Sequence, residues 1–152
     1  TMNTTTCIFH DTDASAHYQR IFEIVEEAYR RRENATVFAA SEERAAEIDR
    51  CLWILHQDSF IPHRLLAGGD ATGTVPVAII TGEWRPFASG VLVADGHCSI
   101  AFARGFERIH EFVYHNPPGI KEECRKRFRA YRDESIPVQY LKAKSWTGDG
   151  SK

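Results

Sequence analysis

The 152-residue sequence predicts a single α/β domain with a Rossmann-like layered fold, in which a mostly parallel central sheet is flanked by helices. Two observations support this prediction. Short apolar runs alternate with amphipathic segments in β-α-β-α order over the first third of the chain, and such an order gives parallel strands joined by right-handed crossovers. Hydrophobic residues make up 43% and charged residues 26% of the chain, as in ordinary globular proteins.

The first predicted strand is Cys7-Ile8-Phe9, which ends at a polar run that begins with His10 and Asp11. Residues 14–32 are predicted to form an amphipathic helix, because apolar residues recur there at spacings of three and four. These are Tyr18, Ile21, Phe22, Val25, Ala28 and Tyr29.

The next predicted pair is a strand at residues 36–40 and a helix that begins after Ser41. Ser41 is a suitable N-cap, and the two glutamates that follow it suit the positive end of the helix dipole. One face of this helix is predicted to be apolar and is formed by Ala45, Ile48, Leu52 and Trp53.

The second half of the chain is predicted to contain two loops followed by further strands. The loops lie at residues 58–63 and 68–73, and strands are predicted at residues 75–80, 91–94, 109–113 and 137–142. Residues 109–113 mix apolar and polar side chains, which predicts a half-exposed strand. The domain is predicted to span residues 1–146, followed by a disordered tail at residues 147–152.

The sequence lacks the motifs that are typical of several functional classes. The glycines at 68–73 are not followed by Lys-Ser or Lys-Thr, and no GxGxxG motif is present, so neither a nucleotide nor another cofactor is predicted. None of the seven histidines has HxH or HExxH spacing, and no metal site is predicted. A pI of 6.4 argues against coating nucleic acid by bulk charge.

The chain is also predicted to lie in the cytoplasm. No membrane span or signal peptide is recognised. The four cysteines are widely spaced, which predicts free thiols in a reducing compartment. Cys124 lies among basic residues, so it is either a thiol of lowered pKa or a small residue on the inner face of the last helix.

The most informative segment runs from Lys121 to Arg132, where six of twelve residues are basic and two are aromatic. It lacks Gly, Pro and β-branched residues, so it predicts a helix after the break at Pro117-Pro118-Gly119. Helical spacing places five of its side chains on one face, namely Lys121, Arg125, Phe128, Arg129 and Arg132.

That face suits an anion that also carries an apolar group. An acidic peptide and nucleic acid are both compatible with it. The alternative is a solvated charged surface, with Phe128 in the core and the arginines paired with Glu122, Glu123 or Asp133.

The loop Phe60-Ile61-Pro62-His63 carries apolar side chains. It either packs under the sheet or forms a partner-binding surface.

Four segments, taken in order, resemble the chi subunit of bacterial DNA polymerase III holoenzyme. They are Leu52-Trp53 with Asp58-Ser-Phe-Ile-Pro-His63, then Leu66-Ala-Gly68 through Val75-Pro-Val-Ala-Ile79, then Phe106-Glu-Arg-Ile-His-Glu-Phe-Val113, and Arg125-Lys-Arg-Phe-Arg-Ala-Tyr-Arg132. The chain departs from the family pattern at Gly68-Gly69, where a Gly-Glu pair is frequent. It also departs at Phe128, where tyrosine is common.

The resemblance implies a non-catalytic clamp-loader accessory protein that contacts DNA only indirectly. It implies that Lys121, Arg125 and Phe128 bind the acidic, phenylalanine-ended C-terminal tail of single-stranded-DNA-binding protein, and we add Arg129 on the same face. It also implies that the loop with Phe60 and Pro62 binds a psi subunit or a helicase.

Two alternatives stay open from the residues alone. One is a small α/β enzyme with a site in the loops at the strand ends, near His10, Asp11 and His63. The other is direct DNA binding by the basic helix.

Overall fold

The computed structural model describes residues 5–13, 16–54, 61–66, 75–87, 90–113 and 120–142. These residues form a seven-stranded sheet with the strand order β3-β4-β2-β5-β6-β1-β7, and every pairing in it is parallel. The strands are β1 (Thr6–Asp11), β2 (Ala35–Phe38), β3 (His63–Leu65), β4 (Val77–Ile80), β5 (Val91–Ala94), β6 (Arg108–Val113) and β7 (Val138–Leu141). The predicted α/β class is confirmed.

The described helices form the two outer layers. They are α1 (His17–Arg30), α2 (Glu42–Ile54), α3 (Ile100–Ala103) and α4 (Ile120–Asp133). Side chains of α1 and α2 share one apolar cluster with alternate residues of the sheet, such as Val37 and Val93. Side chains of α3 and α4 share a second cluster with residues of the opposite sheet face, such as Phe9 and Leu92. The domain therefore has two cores, one on each face of the sheet.

Burial follows the strand order. All residues of β2, β4 and β5 are buried, as expected for central strands of a parallel sheet covered on both faces. In β7, at one edge, all four residues are exposed or half-buried. The edge strand β7 lies beside β1, with Tyr140 level with Phe9.

The sequence predicted several local features correctly. Ser41 caps α2, since its Oγ accepts a hydrogen bond of 3.1 Å from the backbone N–H of Arg44. The strand at residues 91–94 has the predicted bounds. Cys124 is buried, and its Sγ lies 3.5 Å from the carbonyl oxygen of Phe112, so the prediction of a small residue on the inner face of α4 is confirmed.

Other predictions were wrong or incomplete. Strand β6 is not half-exposed, because its polar residues His110 and Glu111 have buried partners and are themselves buried. Trp53 is 51% exposed instead of lying on the inner face of α2. The short elements α3 and β3 carry too few residues to show a periodic pattern. The predicted tail at residues 147–152 lies outside the described residues.

No helix in the described ranges combines the length and the apolar character needed to cross a lipid bilayer.

Candidate functional site

Helix α4 is held against the sheet by one polar and three apolar side chains. Cys124 and Tyr131 are buried and Phe128 is half-buried, so they form the apolar inner face. The side chain of Arg127 lies between them and donates hydrogen bonds to the carboxylate of Glu111 on β6. Glu111 is 0% exposed. These four contacts fix the rotation of α4 about its axis, and they determine which of its cations face solvent.

The cations of the predicted face are all exposed, as the helical spacing implied. Arg125 and Arg129 both lie 3.7 Å from the carboxylate of Glu122, and all three side chains are more than half exposed. Ion pairs of this length at an exposed site contribute little to stability. The predicted pairing with Glu122 is therefore present, but it leaves the cations accessible to a ligand.

A groove of about 320 Å³ separates α4 from the edge of the sheet. Its lining joins five apolar or aromatic residues to three cations, namely Phe9, Val113, Cys124, Phe128 and Tyr140 with Lys121, Arg125 and Arg129. The rings of Phe9 and Phe128 lie 5.3 Å apart and are tilted by 50°. The structure thus brings together all four predicted site residues of α4 around an apolar floor.

Sequence reasoning missed Phe9, Val113 and Tyr140, which belong to three different strands. Tyr140 is 42% exposed on β7, and its hydroxyl donates a hydrogen bond to Asp11. Burial and this carboxylate raise the pKa of Tyr140 to about 12, so its hydroxyl stays protonated at neutral pH. Only the pairing of β7 with β1 places this ring on the groove, and no local pattern encodes that pairing.

An exposed apolar surface lies at the opposite edge of the sheet. Trp53, Ile54 and Leu65 are each about half exposed, with values of 51%, 56% and 48%. The ring of Trp53 packs 4.6 Å from that of His63, which holds the end of α2 beside β3. We call Trp53, Ile54 and Leu65 the β3-edge surface.

Only residues 61–63 of the predicted partner loop are described. His63 connects the loop to the β3-edge surface through its contact with Trp53. Pro62 is half-buried, whereas Ile61 before it is 1% exposed, so the loop packs through Ile61. Phe60 lies outside the described residues.

Residues 4–139 match the family described as DNA polymerase III chi subunit, HolC. The chain belongs to this chi subunit family.

Two relatives are similar to the chain over most of its length. DNA polymerase III subunit chi of Pseudomonas aeruginosa is 29% identical over 132 residues, which cover 87% of this chain and 90% of the relative. DNA polymerase III subunit chi of Escherichia coli is 31% identical over 119 residues, which cover 78% of this chain and 80% of the relative. The predicted resemblance is confirmed.

The fold is also similar to that of a protein outside the chi family. The C-terminal domain of the DEAD-box protein Dbp5 superposes with a TM-score of 0.66, covering 95% of this chain and 93% of that one. The sequences are only 11% identical, so this likeness concerns the fold alone.

The residues of the alternative enzyme site are not brought together. His10 and Asp11 lie at the carboxyl end of β1, next to one edge of the sheet, and Nε2 of His10 lies 2.9 Å from Nδ1 of His110. His63 is the first residue of β3, at the other edge and at the amino ends of the strands. In the described part of the chain, no cluster of three or more His, Cys, Asp or Glu side chains is suited to a metal ion.

The crevice that usually binds ligands in such sheets is filled by the protein's own side chains. It lies where connections leave in opposite directions, here between β2 and β5. Asp95 after β5 accepts hydrogen bonds from the backbone N–H of Ala40 at 3.0 Å, from His17 at 2.7 Å and from Arg44. A Cβ on Gly96 would lie 2.6 Å from the Cα of Ala40, so the two loops touch.

Hydrogen bonds determine the ionisation of the carboxylate in this filled crevice. Burial alone would raise the pKa of Asp95, but the hydrogen bonds from His17, Arg44 and Ala40 outweigh it and lower that pKa to about 2. Asp95 is therefore an ionised structural group that ties two loops together.

Proposed function

We propose that this protein is a non-catalytic accessory subunit that binds the acidic, phenylalanine-ended C-terminal tail of single-stranded-DNA-binding protein. The groove between α4 and β7 is the binding site in this proposal. The observation that carries it is the placement of an apolar, ring-lined floor inside a rim of exposed cations. Membership of the chi family and the names of its relatives, which are polymerase III subunits, agree with a role in the replicase.

The groove matches the two chemical features of such a tail. A terminal phenylalanine ring would pack against Phe9 and Phe128, where tilted ring pairs are favourable. Its carboxylate, and aspartates nearby, would accept charge-assisted hydrogen bonds from Lys121, Arg125 and Arg129. Lys121 lies in the first turn of α4, whose dipole also favours an anion.

Calorimetric titration with an acidic peptide ending in Pro-Phe tests this proposal. We expect micromolar affinity, roughly −7 to −8 kcal/mol. Arg125→Ala should weaken binding by about 1.5–3 kcal/mol, the range for a hydrogen bond to a charged group. Added salt should weaken it too, since the cations are exposed and screened over about 10 Å at 0.1 M ionic strength.

Lys126→Ala is a matched control for Arg125→Ala. The side chains are 61% and 62% exposed, and each lies 3.7 Å from a glutamate three residues before it. Only Arg125 lines the groove. If the two variants lose equal affinity, or if a peptide without its final Phe binds equally well, the groove is only a generic charged surface.

A second partner is proposed at the other edge of the sheet. We propose that the β3-edge surface, together with Phe60 and Pro62, binds a psi-like subunit or a helicase and so bridges it to the coated DNA. Trp53 and Ile54 end α2, and Leu65 lies on β3, the strand against which Trp53 packs. Exposed apolar surface of this kind is typical of protein-protein contacts. Because β3 and β7 are the two outermost strands, both partners can bind at once.

Co-purification with each partner shows which of the two sites binds it. Leu65→Asp and Phe60→Asp should abolish capture of the psi-like subunit or helicase while keeping tail-peptide binding. Arg125→Ala should do the reverse. If Phe60→Asp unfolds the domain, the loop is a packed core segment. If the folded variants retain every partner, the second site is not at this edge.

In this proposal the protein acts in the cytoplasm and contacts DNA only indirectly, through its partners. The formal net charge is −2, and the basic face of α4 is a local feature. Direct binding to DNA would instead appear as capture of a bare single-stranded oligonucleotide that Arg125→Ala abolishes.

A further inference from the structure

We propose that the chain turns back after β7 and that Trp146 binds in a cavity between α1 and β1. This cavity lies on the sheet face opposite to the groove beside α4. We call residues 142–149 the β7 extension, and residues 143–149 of it lie outside the described residues.

The cavity has a volume of about 240 Å³ and is mostly apolar. Its lining includes Ile8 and His10 of β1, Ile24 of α1 and Leu141 of β7. Ile24 and His10 are buried, whereas Ile8 and Leu141 are only half-buried. The described part of the chain therefore covers these apolar walls incompletely.

The position of α1 explains why the cavity is open. Helix α1 packs on β2 and β5, and the strand order places β6, β1 and β7 progressively farther from it. Side chains alternate along β7, so Leu141 lines this cavity while Tyr140 lines the groove on the other face. The edge strand β7 thus has a hollow on each side.

The chain itself leads into the cavity. Leu141 is the last residue of β7 and lies level with His10, and the exposed Lys142 follows it. Trp146 comes five residues after Leu141, which is at most about 17 Å of extended chain. A turn at residues 142–145 is therefore enough to bring the indole ring over the apolar walls.

Helix α1 runs antiparallel to the strands beside this cavity. It begins at their carboxyl ends, where Nε2 of His17 lies 2.7 Å from a carboxylate oxygen of Asp95. It ends at their amino ends, where Glu33 accepts a hydrogen bond of 2.9 Å from Arg108, the first residue of β6. Leu141 therefore lies towards the start of α1, and Arg108 lies towards its end.

The charges along the rim of the cavity change sign between these two ends. Glu23, Glu27 and Arg31 line the cavity at spacings of four residues, which place them in one row along α1. Arg108 adds a second cation at the far end. Glu27 and Arg31 form an ion pair of 2.9 Å, but both side chains are 56% exposed and stay accessible to other charges.

The β7 extension carries the complementary order of charges. Lys142 and Lys144 come first, then Trp146, and then Asp149. A returning chain would place the lysines beside the two glutamates and Asp149 beside the two arginines, with the indole ring between them. Lys144 to Asp149 spans about 16 Å when extended, and Glu23 to Arg31 spans about 12 Å along the helix.

The same charges argue against the groove beside α4 as the site that binds the β7 extension. The rim of the groove carries three cations, which would repel Lys142 and Lys144. In the cavity, the apolar body of the indole ring would contact Ile24 and Leu141. Its N–H would donate to the carboxylate of Glu27 at the rim.

NMR spectroscopy of the full chain tests this inference. Nuclear Overhauser effects should connect the indole ring of Trp146 to methyl groups of Ile8, Ile24 and Leu141. Deletion of residues 143–152 should lower the melting temperature by roughly 2–6 °C, because it uncovers the apolar walls of the cavity. Trp146→Ala should have a similar effect, and Trp146→Phe should recover part of the loss.

A charge exchange tests the direction of the β7 extension. Lys144→Glu should weaken these Overhauser effects, because it brings a third carboxylate to the acidic end of the rim. Combining it with Glu27→Lys should restore them. Lys152→Glu makes the same change of charge beyond the proposed contacts, and it should leave them unchanged.

Three results would overturn the inference. Contacts of the indole ring with Phe9 or Val113 would place the β7 extension in the groove. Contacts seen only between differently labelled chains in a mixed sample would make a second copy the occupant. A random-coil indole signal for Trp146, together with an unchanged melting temperature after deletion, would show that the β7 extension does not bind the cavity.

Discussion

Arg127 and Glu111 form a buried ion pair between α4 and β6. The Nε of Arg127 lies 3.1 Å from both carboxylate oxygens of Glu111, and the side chains are 11% and 1% exposed. The hydroxyl of Tyr131 donates to the same carboxylate, and Arg127 also donates to the backbone carbonyl of Cys98 at 2.6 Å. One of the six basic residues in this helix segment is therefore a structural group.

Arg127→Ala should destabilise the domain by about 3–5 kcal/mol, because it leaves the Glu111 carboxylate buried without its cation. Arg125→Ala, which removes an exposed cation two residues earlier, should change the free energy of unfolding by less than about 0.5 kcal/mol. Urea denaturation of both variants measures the difference. Similar losses for the two would contradict the buried pair.

A double variant separates the ion pair from packing. Glu111→Leu with Arg127→Met replaces both charges by apolar side chains, and it should be more stable than Arg127→Ala alone. If the loss of stability in the double variant equals the sum of the losses in Glu111→Leu and in Arg127→Met, the charges do not act as a pair.

The folded domain should lose stability as the pH falls from about 6.5 towards 4.5, because His10 and His110 are buried as neutral rings. Burial and the nearby Arg20 lower the pKa of His10 to about 3. Burial lowers the pKa of His110 well below its usual range, and the charges of His10, Arg108 and Arg20 lower it further.

The unfolded chain binds protons on both rings in this range, while the folded chain does not. Stability is therefore complete above pH 6.5 and falls by up to ~1.4 kcal/mol per pH unit for each ring as the pH drops. Urea denaturation between pH 7.5 and 4.5 measures the slope. His10→Gln, whose amide can still contact His110, should reduce the slope, and part of the slope that remains comes from His97, whose pKa burial also lowers. An unchanged slope would show that the His10 ring does not cause it.

Ser135→Gly should stabilise the domain by roughly 0.5–1 kcal/mol, because it relieves a left-handed backbone that costs an ordinary residue about 1–2 kcal/mol. Arg32, with φ of 60° after α1, has the same geometry, so Arg32→Gly should have the same sign. Thermal unfolding detects both shifts. Ser135→Val should lower the melting temperature, and a stabilising Ser135→Val would rule out backbone strain as the cause.

Local periodicity was enough to predict the class of the fold and the exposed half of the site. The alternation of strands and helices placed β1, α1, β2 and α2 within a few residues of their positions, because period 2 and period 3.6 are properties of neighbouring residues. The cationic face of α4 follows from the same spacing. The absence of a phosphate-binding motif is readable from the sequence for the same reason, since that chemistry depends on adjacent residues.

Only the tertiary structure decided which cation of α4 is buried in an ion pair and which apolar residues lie beneath the exposed cations. Arg127 has the same residue type as Arg125 and lies two residues after it in the same helix, and it differs because Glu111 of β6 lies under it. The floor of the groove joins Phe9 to Tyr140 through the pairing of β1 with β7, whose residues are separated by most of the chain. Helical spacing fixes the directions of side chains along one element. Which residue each side chain contacts depends on which strands pair and on how the helix is rotated on the sheet. Both of these depend on burial summed over the whole domain.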